Sequence, residues 1–302
     1  MTTAGYPPVM LKLDLPGIPH FRSGKVREVF DLGDSLLFVA TDRISAFDCI
    51  LPTGIPGKGL VLNQLSAWWF ARLAHLIPNH VISTDASELP AILRPHRDIL
   101  RGRSMVVRKT RVLPVECVAR GYLIGSGWKD YQATGALGGI PLRPGYRMAD
   151  RLDQPAFTPA RKAETGHDEN ISFAEVEGMV GASRADEMRR TTLALYRDAA
   201  AYAQSRDIIL ADTKFEFGVA GSTLLLIDEI LTPDSSRYWP AAQYAPGSSP
   251  PSFDKQFVRD YLESLPWDKT PPAPALPPEV VARTAEKYVD AFRRLTGRDL
   301  DY

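Results

Sequence analysis

Residues 208–217 read Ile-Ile-Leu-Ala-Asp-Thr-Lys-Phe-Glu-Phe and residues 223–230 read Thr-Leu-Leu-Leu-Ile-Asp-Glu-Ile, two runs of strand length around a turn at 218–222. Apolar, β-branched and aromatic residues bounded by Gly and Ser predict a hairpin. Strand side chains alternate between faces, so Asp212, Lys214 and Glu216 share one face while Thr213, Phe215 and Phe217 take the other. Unpaired charge is costly in an apolar interior, so burying both strands places the charged face at the edge of a cleft. Across the turn Asp228 and Glu229 interrupt an apolar strand, and the hairpin brings one of them near Glu216. Two carboxylates so placed suit Mg²⁺, a hard cation that leaves its other positions to water and nucleotide phosphates. Lys214 would meet the same phosphates. A solvated strand face with an ordinary ion pair is the plainer reading of the same pattern.

The rest of the chain supplies the frame. Residues 21–48 read as another hairpin, with strands 24–30 and 36–40 about a turn at 33–35, and alternation puts Lys25 and Arg27 on one face. Residues 60–76 carry apolar positions at helical spacing, stopped by Pro78. Two further strands, 104–109 and 115–120, flank Pro114, which makes a natural hinge between lobes. From 131 to 171 Gly, Pro and charge predominate, predicting a long loop with no regular helix, and loops of that length are usually functional. Ser172 with Glu175 forms a capping box for a helix through 180, followed by another at 184–205. A Pro-rich arm at 266–278 leads into a terminal helix from 279 to about 295, ended by Gly297.

Two cysteines, Cys49 and Cys117, far apart in the sequence, argue against a disulfide framework and a structural zinc site. Lys plus Arg equal Asp plus Glu at 36 each. With no global positive field to draw nucleic acid or membrane, any anion site must be built locally. No apolar run approaches the ~18 residues of a bilayer span. The first 15 residues show no secretion signal, so the cytoplasm is the expected compartment. A length of 302 residues favours two packed lobes.

Several other segments offer anion-binding chemistry. The bend Ser23-Gly24-Lys25-Val26-Arg27 would close its backbone over phosphates with Lys25 as counter-charge. Gly57-Lys58-Gly59 is a plain turn or a nucleotide cradle, and no Walker A or Rossmann fingerprint is present. Arg120 ends a strand and is followed by Gly121, Gly125, Ser126 and Gly127, donors suited to a monophosphate or simply a glycine-rich turn. Ser235, Ser236 and Arg237 supply a second hydroxyl-plus-guanidinium group, or a capped turn. Asp168 and Asn170 would hold a substrate amine or merely lead into the next helix, and Arg161 and Lys162 lie on the same loop, which would act as a lid.

Read in order, Gly24-Lys-Val-Arg27, Thr41-Asp-Arg-Ile-Ser-Ala-Phe-Asp48, residues 54–66, 114–128, 211–218, 228–239 and 252–262 closely resemble the SAICAR synthetase (phosphoribosylaminoimidazole-succinocarboxamide synthase) family. Matches of that length in one order cover most of residues 20–262. The resemblance implies an α+β fold of two lobes with antiparallel sheets and an ATP cleft, similar in style to ATP-grasp and kinase folds. It implies lobes at 1–112 and 113–262, with the arm and terminal helix of 263–302 packing on the body.

The resemblance also implies ligation of L-aspartate to the carboxylate of CAIR, the carboxylated aminoimidazole ribonucleotide, giving SAICAR, ADP and phosphate, with ATP as co-substrate and Mg²⁺ as cofactor. By motif, Lys25, Glu116, Lys162 and the Arg111, Val112 and Leu113 backbone would face ATP, while Glu216 and Asp228 would hold Mg²⁺. Asp212 and Lys214 would organise the reacting centre. Arg120, Ser126 and Arg237 would take the CAIR 5′-phosphate, Ser45 and Asp48 other parts of CAIR, and Asp168 the aspartate side, with Lys255 near the substrates. Thr158-Pro-Ala-Arg161 and Thr165-Gly166 depart from the family pattern in the lid loop. The added arm and helix favour a monomer over a homodimer. A small-molecule kinase and a non-catalytic nucleotide-binding regulator are the competing readings.

Overall fold

The computed structural model describes residues 6–162 and 169–302. Strands β1 (His20–Ser23), β2 (Arg27–Asp31) and β3 (Ser35–Ala40) form an antiparallel meander, the last two being the expected first hairpin. Lys25 lies just outside β2, so only Arg27 belongs to the strand. A small ribbon, β4 (Ser45–Ala46) and β5 (Cys49–Ile50), turns through Phe47 and Asp48, both at positive φ. Helix α1 (Lys58–Leu73) then crosses behind the sheet. Gly59 permits that approach, because a Cβ there would sit 2.4 Å from the Ala40 carbonyl oxygen. Strand β6 (Val81–Ser83), the single turn α2 (Arg97–Leu100) and β7 (Ser104–Arg108) complete a sheet of order β1-β2-β3-β7-β6 among the described residues.

The second sheet begins with β8 (Arg111–Val112) and β9 (Val115–Tyr122), followed by α3 (Ser126–Thr134) and a short hairpin of β10 (Ala136–Leu137) and β11 (Ile140–Pro141). Next come β12 (Arg151–Phe157), β13 (Ala160–Arg161) and β14 (Glu169–Asn170). The stretch expected as one long loop therefore contains a seven-residue strand. Pro155 is tolerated because β12 is irregular there, its register with β9 shifting between Arg151 and Ala156. Helices α4 (Phe173–Val180) and α5 (Ala182–Gln204) follow, and Ser172 and Glu175 form the expected capping box.

The central hairpin is β15 (Ile208–Ala220) with β16 (Thr223–Ile227). Its turn is tighter than residues 218–222, using only Gly221 and Ser222 between the strands, while Gly218 pairs with Leu225 inside the ladder. Strand β17 (Ser236–Pro240) pairs with the first half of β15, and β9 pairs with its middle. The chain ends with α6 (Gln256–Glu263), which periodicity had not suggested, and α7 (Pro278–Thr296), closed by Gly297 in the left-handed conformation.

The largest core cluster lies between the second sheet and helices α1, α5 and α7, and includes Trp69, Leu195, Phe215, Phe217 and Phe292. Fully burying a phenylalanine stabilises by about 1.5–3 kcal/mol. Phe215 and Phe217 thus fix which face of β15 turns inward, and the alternation lifts Asp212, Lys214 and Glu216 onto the other. A separate cluster joins Ile44, Leu51 and Ile55 to Val258, Leu262 and Val280, tying the ribbon to α6 and α7.

Candidate active site

A cavity of about 470 Å³ opens over the start of this charged face, with Arg120, Asp212, Lys214, Arg237, Asp254 and Lys255 among its walls. At its floor the Asp212 carboxylate accepts from Arg120 Nη1 at 2.8 Å and Arg237 Nη1 at 2.5 Å. Arg120 is held from three sides, donating also to Ser126 Oγ and Thr158 Oγ1, each at 3.0 Å. Register explains the convergence, since β15 pairs Asp212 with both Arg120 of β9 and Arg237 of β17. Gly125, at φ 60°, lets the loop before α3 close on Arg237, whose Nη2 would lie 2.5 Å from a Cβ there. Two guanidiniums share one carboxylate, so the floor keeps net positive charge for an anion.

Further along the same face, Lys214 Nζ donates to Glu116 Oε1 at 2.6 Å and Lys162 Nζ to Glu216 Oε2 at 2.6 Å. Asp228, the residue after β16, accepts from Arg27 at 2.6 and 3.4 Å, and Glu229 lies 3.6 Å from the same guanidinium. Burial and the charge of Asp228 push the Glu216 carboxyl up, against the pull of Lys162 and Lys214. Burial acts to raise Asp228 too, but Arg27 outweighs it and holds that carboxyl well below the usual range. Lys214 stays protonated because Glu116 and Glu216 overcome the burial that would strip its proton.

The remaining expected residues distribute as follows. Ser45 and Asp48 line the cavity, with Lys25 paired to Asp48. In β8, Arg111 and Val112 are exposed and pair with Val219 and Gly218, while buried Leu113 donates its N–H to Phe217 O at 2.9 Å. Lys255 Nζ lies 3.1 Å from Asp234 Oδ2. Asp168 lies outside the described residues. Both cysteines are buried and free.

Sequence reasoning gave no role to four groups. Arg27 was placed only on a face, yet it bridges β2 to Asp228. Thr158 was read as a departure in a loop, yet it holds Arg120. Lys58 is neither a plain turn nor a phosphate cradle, because it opens α1 fully buried and donates to Asp234 Oδ2 at 2.7 Å. Asp234 gathers these cations from within a quoted motif. A lysine at the first position of an apolar helix was the available signal, since a buried ammonium needs a partner.

Asp254 faces the cavity and accepts backbone N–H bonds from Tyr238 and Gln256 at 3.1 and 2.7 Å. Burial nevertheless pushes its pKa up to about 6. The folded state then holds a proton that the unfolded chain releases near 3.8, so this group's stabilisation is present below 3.8 and is lost as pH rises through 6. Asp254→Asn carries a constant penalty, an amide N–H turned toward a backbone N–H, but loses that pH dependence. Melting midpoints measured from pH 4 to 7 are expected to move in the variant's favour as pH rises, whereas parallel curves would rule the assignment out.

Mostly antiparallel sheets flanked by helices carry one strand face that runs from paired guanidiniums at Asp212 to the buried Glu216, and together they define a site built to hold anionic substrates. The comparisons with known proteins specify the kind. The SAICAR synthetase family model matches residues 20–274, and the chain belongs to that family. It is 58% identical over 296 residues to the phosphoribosylaminoimidazole-succinocarboxamide synthase of Methylococcus capsulatus, covering 96% of this chain and 99% of that one. The synthase of that name from Geotalea uraniireducens is 54% identical over 291 residues, covering 96% and 98%. Among solved structures, the SAICAR-synthase from Saccharomyces cerevisiae complexed with SAICAR superposes with a TM-score of 0.88 at 38% identity, covering 97% of this chain and all of that one.

Proposed function

We propose that this chain uses ATP to join L-aspartate to the carboxylate of CAIR, yielding SAICAR, ADP and phosphate in purine biosynthesis. The observation that carries the reading is the β15 face, which sets the guanidinium-held Asp212 beside the cavity at one end and Glu216 at the other, where Asp228 from the end of β16 adds a second carboxylate. A carboxylate resists amine attack because its oxygen is a poor leaving group. The first step is transfer of the γ-phosphoryl group to a CAIR carboxylate oxygen, giving an acyl phosphate and ADP. The neutral amine of aspartate then attacks the acyl carbon, the C–N bond forms, the C–O bond to phosphate breaks and the amine proton is released. Positioning and charge neutralisation dominate such chemistry.

In this reading Arg120, Ser126 and Arg237 hold the 5′-phosphate, with Asp212 fixing both guanidiniums. Ser45 and Asp48 meet other parts of CAIR, and Lys255 approaches an anionic substrate group. Asp168, outside the described residues, keeps its motif-based place near aspartate. Lys25, Lys162 and Lys214 face phosphates, Glu116 sets Lys214, and the exposed edge of 111–113 takes the adenine.

No group of three or more His, Cys, Asp or Glu among the described residues forms a ready metal cage. The pair Glu216 and Asp228 nevertheless fits Mg²⁺, because its donors are hard oxygens and their charges press on one another. When bound there, Mg²⁺ would neutralise developing charge on the phosphates. We read the chain as lobes at 1–112 and 113–262 with 263–302 packed on the body, supported by the two sheets, although β8 at the boundary pairs with β15. A monomer is consistent with α7 burying its apolar stripe in the same chain. No helix among the described residues is long and apolar enough to cross a membrane.

The test follows ADP and SAICAR together with Mg²⁺-ATP and CAIR, with and without L-aspartate. Equimolar ADP and SAICAR requiring all three substrates is the expected result. ADP with a phosphorylated product but no SAICAR would replace the ligase by a kinase, and no turnover would favour a regulator.

A further inference from the structure

Helix α7 lies beyond residue 274, where the family model ends, yet through Tyr288 it holds Asp234, a residue of the cavity wall. Fully buried Tyr288 donates its hydroxyl to Asp234 Oδ1 at 2.7 Å. The other carboxylate oxygen is shared by Lys58 at 2.7 Å and Lys255 at 3.1 Å, and the Lys58 ammonium lies 5.8 Å from the centroid of the Tyr288 ring. The preceding residue of the helix, Lys287, donates to the carbonyl of Ser252, which lies three residues before Lys255, at 2.7 Å. Asp254 and Phe253 lace the same segment to Tyr238 in β17. Of the two ammoniums on Asp234, Lys58 is fully buried and Lys255 retains access to the cavity.

We propose that α7 is part of the substrate site, with Tyr288 a positioning residue that locks the Asp234 carboxylate so that Lys255 presents its ammonium to an anionic group of CAIR or aspartate. This rests on the reading of Lys255 as a substrate contact. A carboxylate held through one oxygen only can swing about its last torsion. Lysine has several rotatable bonds, so an unfixed anchor leaves its charge dispersed and part of the ordering entropy falls on substrate binding. Phenylalanine at 288 preserves the ring beside Lys58 and removes only the hydroxyl.

The experiment measures Michaelis constants for ATP, CAIR and L-aspartate in Tyr288→Phe, Lys255→Ala and the double variant. Lys255→Ala is expected to raise the constant of one carboxylate substrate. Tyr288→Phe raises the same constant about fivefold, leaves that of ATP unchanged, and adds nothing in the double variant, because both changes remove one interaction. Leu295→Ala, a cavity in the same helix away from Asp234, controls for loss of stability and is expected to lower the melting midpoint without altering these constants. All constants are compared at a temperature below the melting midpoint of every variant. Wild-type constants in Lys255→Ala would overturn the substrate-contact reading and the proposal with it. An impaired Lys255→Ala beside an unimpaired or fully additive Tyr288→Phe would overturn the role of Tyr288 alone.

Discussion

Glu216→Ala is expected to lower turnover by on the order of 10³-fold or more, the scale of losing a principal electrostatic element at a phosphoryl-transfer centre. The fold is expected to survive unharmed. Burial and the neighbouring Asp228 already push this carboxyl up, which means that its ionised form is held at a cost to stability. A group with a raised folded-state pKa contributes stability that disappears as pH rises, so at neutral pH its removal relieves the site. The melting midpoint of the variant is therefore expected to equal or exceed that of the wild type, and Mg²⁺-dependent nucleotide binding, followed by calorimetry, is expected to weaken. Near-normal turnover would remove Glu216 from any metal role. A collapsed melting midpoint would show that its bond to Lys162 serves mainly to hold the fold.

The second large effect is expected at Lys214, which stands between the two ends of the β15 face. Lys214→Met keeps the stem and deletes the ammonium, leaving Glu116 without its 2.6 Å partner. Turnover is expected to fall by about 10²–10⁴-fold, because a fixed cation that meets charge developing between donor and acceptor acts mostly on the transition state. Constants for ATP and CAIR change little in that case. A variant with unchanged turnover and a weakened ATP constant would make Lys214 a simple phosphate anchor instead.

What could be read from sequence depended on whether the signal was local. The alternation of residues 208–217 disclosed the charged face of β15 because a strand's period belongs to the strand alone. The Ser172 capping box was legible for the same reason. Residues 131–171 misled, since the prolines and glycines that forbid helix do not forbid an irregular edge strand, and β12 takes its place only because β9 is there to pair with it. The ion pairs were out of reach for a related reason. Arg27 with Asp228 and Lys58 with Asp234 join residues separated by 201 and 176 positions, and nothing local in either partner names the other. The family likeness indicated which residues gather, but the hydroxyl of Tyr288 came into view only with the packing of α7.

The 13 residues of β15 keep the guanidinium-held Asp212 and the carboxylate-facing Glu216 on one uninterrupted backbone. Three residues lie between them, so four steps of strand give a span of about 13 Å at about 3.3 Å per residue. Inheritance is constrained in a particular way as a result. Connections such as the arm before α7 can gain or lose residues, but one codon inserted between positions 212 and 216 would turn Glu216 toward the core and bring a phenylalanine into the cleft. The strand is a gauge whose graduations are peptide units: its side chains can be exchanged one at a time, while its length between the guanidinium-held Asp212 and Glu216 is fixed.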